Sequence, residues 1–303
     1  MTSTQTKTLT IFAPAKINLY LHVTGRLDNG YHALDSLVAF ADIGDEIRIE
    51  PAALDFSFNM QGPYANAFGP KEFDASPNSS NLAVQAAWAI SRAAQKIPSV
   101  KITLTKNLPL ASGIGGGSSD AAAVIWGLME WWGIPRQSGY LPSLLASLGA
   151  DVPVCLNCSP ARLRGIGDII DRVPPMPEIP VVLVNPGKSC PTAHVFARYN
   201  GTFREPGKLP ERLDTLADLT AYIGPKENDL LAPACQVVPE IENVLRVLDY
   251  QAGCRLARMS GSGATCFGLF ENEKHARDAA KNIKSENPDW WVRAGMLNRP
   301  ERY

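Results

Sequence analysis

The sequence predicts an α+β protein built as two domains. Alternating apolar–polar runs and helix-spaced apolar positions are both present, but strands and helices do not follow one another in regular βαβ order. The chain has 303 residues, enough for two separate cores. The third observation is a proline cluster, Pro174, Pro175, Pro177 and Pro180, which reads as an interdomain boundary. The expected division is 1–173 and 174–303.

Residues 9–23 are apolar and β-rich, and Pro14 is expected to break them into two strands. Asp28-Asn29-Gly30 is a turn signal. Asp45 to Glu50 and Leu54 to Met60 alternate and read as strands. Gly, Pro, Asn and Ser fill 61–80 as a loop. Asn81 to Gln95 carries Leu82, Ala86, Ala89 and Ile90 at helical spacing, with Ser79, Ser80 or Asn81 as N-cap. A strand follows at Val100 to Thr105, then a Gly/Ser loop and helices near Ser118–Trp132 and Leu141–Leu148. Past the prolines we expect a strand at 181–185 and helices near 191–199, 211–222 and 228–250. Strands at 254–259 and 264–270, a helix at 273–285 and a strand at 290–297 complete the pattern.

The composition is 45% hydrophobic and 19% charged with a net charge of -1, as in soluble globular proteins. A near-neutral chain without a basic-aromatic stripe argues against nucleic-acid binding. No eighteen-residue apolar run marks a membrane span, and Met1 to Thr8 lacks the apolar centre of a signal peptide, so the expected location is cytoplasmic. Six scattered cysteines read as free thiols. Cys155 and Cys158 have CxxC spacing but neither a second pair nor grouped histidines, so buried, inert thiols are favoured over a zinc site.

The strongest local signal is Pro109-Leu110-Ala111-Ser112-Gly113-Ile114-Gly115-Gly116-Gly117-Ser118-Ser119, lying between a strand and an Ala-rich helix. Glycines permit positive φ and let backbone amides converge on an anion, and the helix adds unpaired amides and its positive end. This is a phosphate cradle in which Ser118 or Ser119 supplies hydroxyl donors or a metal ligand; the bland alternative is a capped linker. Known templates do not fit. A dinucleotide fingerprint needs Gly where Ser118 stands, and no Lys follows the last glycine as a P-loop requires. Gly187-Lys188-Ser189 lacks the earlier glycine, since position 182 is Val.

Three segments in order resemble the GHMP kinases: Pro14-Ala15-Lys16-Ile17-Asn18-Leu19, the loop just described, and Ser260-Gly261-Ser262-Gly263-Ala264-Thr265. Gly30-Tyr31-His32, Gly149-Ala150-Asp151-Val152-Pro153, Asn185-Pro186-Gly187 with Pro191-Thr192, and Asn228-Asp229-Leu230 are similar to one branch, whose acceptor is a cytidine diphosphate-linked polyol. The resemblance implies a ribosomal-protein-S5-like N-terminal domain, a ferredoxin-like C-terminal domain and an active site in the cleft between them. It further implies ATP and Mg²⁺, small-molecule substrates, no nucleic-acid or membrane partner, and a monomer or homodimer.

The resemblance also assigns roles. Asp151 would orient or deprotonate the accepting hydroxyl, although its position alone reads as a helix N-cap. Lys16 would lie beside Asp151, and Asn18, two residues along a strand, would face the substrate with it. Tyr31 and His32 would read cytidine, Tyr31 by stacking and His32 by hydrogen bonding, with Phe196 as a second ring; the residues alone allow a turn Tyr and a core Phe. Asn81 and Lys106 would border ATP, though a helix cap and a solvated strand end explain them equally well. Ser260, Gly261, Ser262 and Gly263 would close over the transferred phosphate, against the alternative of a tight hairpin. Ser118 is the candidate metal ligand. Arg162 and Arg164 depart from the small residues expected there and would meet the diphosphate or face water. The rival readings are another GHMP small-molecule kinase, of homoserine or mevalonate type, and an inactive nucleotide-binding relative.

Overall fold

The computed structural model describes residues 8–52 and 55–299. The N-terminal leader question therefore falls, apart from Thr8, outside the described residues, as does Leu54. In order, the elements are β1 (Leu9–Arg26), β2 (His32–Pro51), β3 (Ser57–Gln61), α1 (Leu82–Ala93), β4 (Val100–Thr105), α2 (Gly116–Trp132), α3 (Leu141–Leu148) and α4 (Val152–Asn157). Next come β5 (Ala161–Gly165), β6 (Ile169–Arg172), β7 (Ile179–Asn185), α5 (Thr192–Phe196), α6 (Leu216–Ile223), α7 (Leu231–Val237) and α8 (Glu240–Asp249). β8 (Cys254–Met259), β9 (Cys266–Phe270), α9 (Glu273–Glu286) and β10 (Trp291–Leu297) end the chain. The α+β expectation holds.

Pro14 does not break the first strand. It lies opposite Gly44, and the register with β2 shifts between Pro14 and Lys16. A bulge absorbs the missing N–H, so the strand bends and continues. Lys16, Ile17 and Asn18 then pair regularly with Phe40, Ala39 and Val38. The Leu27–Gly30 turn joins β1 to β2 through Gly30 N–H to the Leu27 carbonyl, 2.9 Å. β2 starts well before Asp45 because Asp35 to Ala41 is buried without interruption, a pattern that hides period-2 alternation.

The main sheet path is β3-β4-β2-β10-β7-β9-β8, with β1 and β5 also pairing with β2 and β6 pairing with β5. The halves meet through Leu297 of β10 opposite Ala41 of β2. One buried cluster lies between α1, α2 and the β2–β4 region, including Phe40, Ile47, Ile102, Ile90 and Leu128. A second, with Val184, Leu248, Phe270 and Ile283, packs α8 and α9 on the later strands. A third joins Ile17, Leu37, Leu183 and Phe267 across the junction.

Several boundaries differ from expectation. The 228–250 helix is two helices, because Pro239 stands between Val237 and Glu240 as the N-cap of α8. The 211–222 helix starts at Leu216, where Thr215 and Asp218 form a capping box. α2 begins two residues early, at Gly116, from a left-handed Gly115. α4, β5 and β6 were not anticipated; each is short, and α4 is only six residues long. No helix among the described residues is long and apolar enough to cross a membrane.

Candidate active site

One cavity of about 700 Å³ is lined by residues of the first cluster, such as Leu104 and Leu163, and of the second, such as Leu21 and Leu230. At one wall the chain leaves β4, passes through the glycine loop and enters α2. Gly113 (φ 74°) and Gly115 (φ 65°) take left-handed conformations open to glycine. A Cβ at Gly115 would press on Lys16 Cβ at 3.2 Å, and one at Gly116 would meet Lys106 Nζ at 3.1 Å. These two glycines thus let lysine side chains pass close behind the loop. A Cβ at Gly117 would meet nothing within 4 Å. The first-turn amides of α2 have no intrahelical acceptor, so this wall is built for an anion.

The 260–265 segment supports that loop from the far half of the chain. Ser260 Oγ donates to the Gly113 carbonyl (2.9 Å) and accepts the Asn18 N–H (3.0 Å). Thr265 N–H donates to Ser112 carbonyl at 3.1 Å, and Cys190 N–H to Ala111 carbonyl at 3.1 Å. Asn228 Nδ2 holds the segment's own carbonyls, Met259 and Gly261, each at 2.8 Å. Ser260 and Gly263 do not line the cavity; Gly261 and Ser262 do. Gly261 and Ser262 thus border the cavity as expected, whereas the Ser260 hydroxyl is spent on backbone partners and braces the glycine loop.

Lys16 Nζ donates to Asp151 Oδ1 at 2.7 Å. The Lys16 side chain is 5% exposed and that of Asp151 36%. Asp151 stands at the N-cap of α4 but makes no side-chain cap bond. The helix-cap alternative therefore does not account for its carboxylate, which faces the cavity and Lys16 instead. Asn18 also lines the cavity, its amide donating to Ser36 Oγ at 2.8 Å.

His32, which does not itself line the cavity, stacks on Phe196, with centroids 5.2 Å apart and planes 23° from parallel. Tyr199 meets His32 edge-on at 5.7 Å. Partial desolvation, with help from the charge of Arg26, lowers the His32 pKa below the ordinary imidazole value, favouring the neutral ring. Phe196 lines the cavity, whereas Tyr31 does not and is 63% exposed. Its N–H is taken by Asn29 Oδ1 at 3.1 Å, so Tyr31 stands on the hairpin tip beside His32.

GHMP kinase N-terminal and C-terminal domain models match residues 81–158 and 227–289. A 4-diphosphocytidyl-2-C-methyl-D-erythritol kinase of Cereibacter sphaeroides is 45% identical over 287 residues, covering 93% of this chain and 96% of its own. One from Paracoccus denitrificans is 46% identical over 288 residues, covering 94% and 95%. The chain belongs to the 4-diphosphocytidyl-2-C-methyl-D-erythritol kinases of the GHMP family. A crystal structure titled 4-(cytidine 5'-diphospho)-2C-methyl-D-erythritol kinase superposes with a TM-score of 0.74 at 32% identity, covering 95% of this chain and 99% of that one. The α+β architecture described above is thus the two-domain GHMP kinase fold, and a member of this family is an ATP-dependent small-molecule kinase.

Within this kinase, alternatives left open by the sequence at Lys106 and at Arg162 and Arg164 fall away. Lys106 is no solvated strand end: it is 3% exposed, donates to Asp120 Oδ2 at 2.7 Å and pairs with Asp45. Burial opposes its charge, but Asp120 and Asp45 outweigh burial and raise its pKa. Arg162 and Arg164 do not reach toward a diphosphate. Arg162 holds buried Asp35 through Nε at 2.6 Å and a second nitrogen at 2.9 Å; Arg164 similarly grips Asp171. Asn81 both caps α1, accepting Ala83 N–H at 3.0 Å, and lines the cavity, so its two readings coexist.

Sequence reasoning missed Asp45, Asp120 and Tyr199. Asp120 follows the glycine loop and was legible as part of it. Asp45 and Tyr199 carry no local signal, since each matters only through a partner distant in the chain.

Proposed function

We propose that this protein transfers the γ-phosphoryl group of ATP to the 2-hydroxyl of 4-diphosphocytidyl-2-C-methyl-D-erythritol, a step of the non-mevalonate isoprenoid-precursor pathway. The observation that carries the reading is that one cavity gathers these groups. Its lining takes in the glycine loop, the Lys16–Asp151 pair and Phe196, on whose ring His32 stacks from behind the lining.

In this reading Pro109 to Ser119 hold the ATP phosphates, with Asn81 and Lys106 bordering the nucleotide. The Asp151 carboxylate accepts a hydrogen bond from the acceptor hydroxyl and takes its proton as the O–P bond forms. Lys16 holds that carboxylate in place and offsets negative charge accumulating nearby. Because the transferred phosphoryl is held by others, the work of this pair is chiefly alignment. Asn18, Gly261 and Ser262 face the acceptor. Cytosine is read by neutral His32 and stacked on Phe196, with Tyr31 swinging over its outer face; the His32–Phe196 stack opens to admit it.

Mg²⁺ fits the loop. Ser118 lines the cavity, and Asp120 Oδ1 is a buried oxygen without a hydrogen-bond partner on the same wall. Both are hard oxygen donors of the kind Mg²⁺ takes. Ser118 and Asp120 would hold the ion, which when bound with ATP would supply positive charge against the phosphates. We take the division into domains to lie at 173/174, the location to be cytoplasmic, and the molecule to act as a monomer or homodimer without nucleic-acid or membrane partners.

The test is ADP release with Mg²⁺-ATP and a panel of diphosphocytidyl-methylerythritol, homoserine, mevalonate and galactose. Turnover confined to the first supports the proposal. Turnover with another acceptor discards the cytidine pocket, and ADP binding without any turnover favours an inactive relative.

A further inference from the structure

Asp45 is fully buried on β2, at the point where the β2–β4 ladder ends and the chain turns toward the glycine loop. Its Oδ1 accepts the N–H groups of Asn107 (2.6 Å) and Leu108 (2.8 Å). Its Oδ2 accepts from Lys106 Nζ. The same ammonium reaches Asp120 Oδ2 near the start of α2, at 2.7 Å. A Cβ at Gly116 would lie 3.1 Å from Lys106 Nζ and 3.7 Å from Asp45 Oδ2, so the loop's exit folds directly over this cluster. One carboxylate thus fastens the chain where it enters the loop and, through one ammonium, where it leaves.

We propose that Asp45 is a positioning residue for nucleotide binding, setting through Lys106 the spacing between the loop's entry and the first-turn amides of α2. The inference rests on the reading of that loop as the ATP site. Asp45 touches no nucleotide itself. Three donors converge on it, and a buried charged acceptor so satisfied has one favourable geometry. Lys106 and Asp120 both stand on the cavity wall, so a change at Asp45 is felt where phosphate binds. The acceptor half of the cavity, with Asp151 and Phe196, shares no hydrogen bond with this cluster.

Asp45→Asn tests this. The amide oxygen still accepts from Asn107 and Leu108, but an NH₂ group then faces the Lys106 ammonium, donor against donor. ADP affinity is measured by calorimetry on the full chain, alongside steady-state kinetics. The expected result is an ADP Kd and an ATP KM raised about tenfold or more, the loss of one charge-assisted bond. kcat at saturating ATP and the acceptor KM stay within about threefold, which a general folding defect would not produce. Unchanged ADP affinity in Asp45→Asn overturns the proposal, as does a fall in kcat without one in affinity. If Asp45→Asn does not fold, Asp45→Glu is read instead. It keeps a negative charge for Lys106 but is too long to hold Asn107 and Leu108 in place. An ADP Kd raised about tenfold is again expected, and an unchanged one overturns the proposal. Should neither variant fold, Asp45 is a folding residue and the proposal is wrong. Wild-type protein that binds no ADP would instead refute the nucleotide reading on which all of this stands.

Discussion

Asp151→Asn separates stability from turnover in one substitution. At 2.7 Å the bare Coulomb term with Lys16 is about 6 kcal/mol at an effective dielectric near 20. Asp151, however, keeps 36% of its side chain exposed, and pairs with one wet partner are worth only about 1 kcal/mol or less. The melting temperature is therefore expected to fall by no more than about 4 °C. Turnover responds differently. A positioned proton acceptor is worth roughly 10²–10⁴-fold, and an amide cannot take the hydroxyl proton. kcat in an ADP-release assay should drop at least about 100-fold, or close to 3 kcal/mol of barrier, while ADP affinity remains within a few-fold. A variant retaining more than about a fifth of wild-type kcat would show that Asp151 neither orients nor deprotonates the hydroxyl. A large loss of melting temperature would instead show that the pair is a structural tie.

Three further outcomes are expected. Phe196→Ala and Tyr31→Ala should each raise the KM for the cytidine substrate by the worth of one stacking face, about 1–3 kcal/mol, leaving the ATP KM alone; equal effects on both substrates would dismiss the ring reading. Acceptor KM should worsen as pH falls through the His32 pKa, which lies below the ordinary 6.5; neutral His32 and its share of stability persist above that range and are lost on acidification. A His32→Gln variant that keeps the same acid limb would assign it elsewhere. Gly113→Ala places a Cβ at φ 74° against the Gly263 nitrogen, 2.7 Å away. Left-handed strain of about 1–2 kcal/mol adds to backbone displacement of about 1–3 kcal/mol. Calorimetry should show a clear loss of melting temperature and weaker ADP binding, and an unaltered protein would mean that the two loops do not touch in solution.

The legible parts of this molecule were those encoded within a few residues. The glycine loop, the Asn81 cap, the Asp28–Gly30 turn and the α1 and α9 helices all announce themselves by local chemistry. The first half of β2 did not, because Asp35 to Ala41 is buried without interruption and shows no alternation. Resemblance located Lys16 and Asp151, but only the fold brings residues 135 positions apart to hydrogen-bonding distance. For Lys106 the sequence left a solvated strand end as an alternative to the ATP border; nothing adjacent discloses that Asp45 and Asp120 arrive from 61 positions before and 14 after to bury it. Ser260 was misread for a related reason. A serine among glycines suggests a ligand contact, yet here its hydroxyl is consumed 147 residues back, at Gly113.

That last tie bears on the order in which the molecule becomes competent during synthesis. The loop's backbone carbonyls at Ser112 and Gly113 find their partners in Thr265 and Ser260, and β10, which joins β2 to β7, is made later still. A nascent chain released only as far as α8 holds every glycine of the loop but not the segment that braces it. Nucleotide capture is therefore expected to arrive abruptly near the end of translation, and a growing chain does not sequester ATP before its acceptor pocket exists.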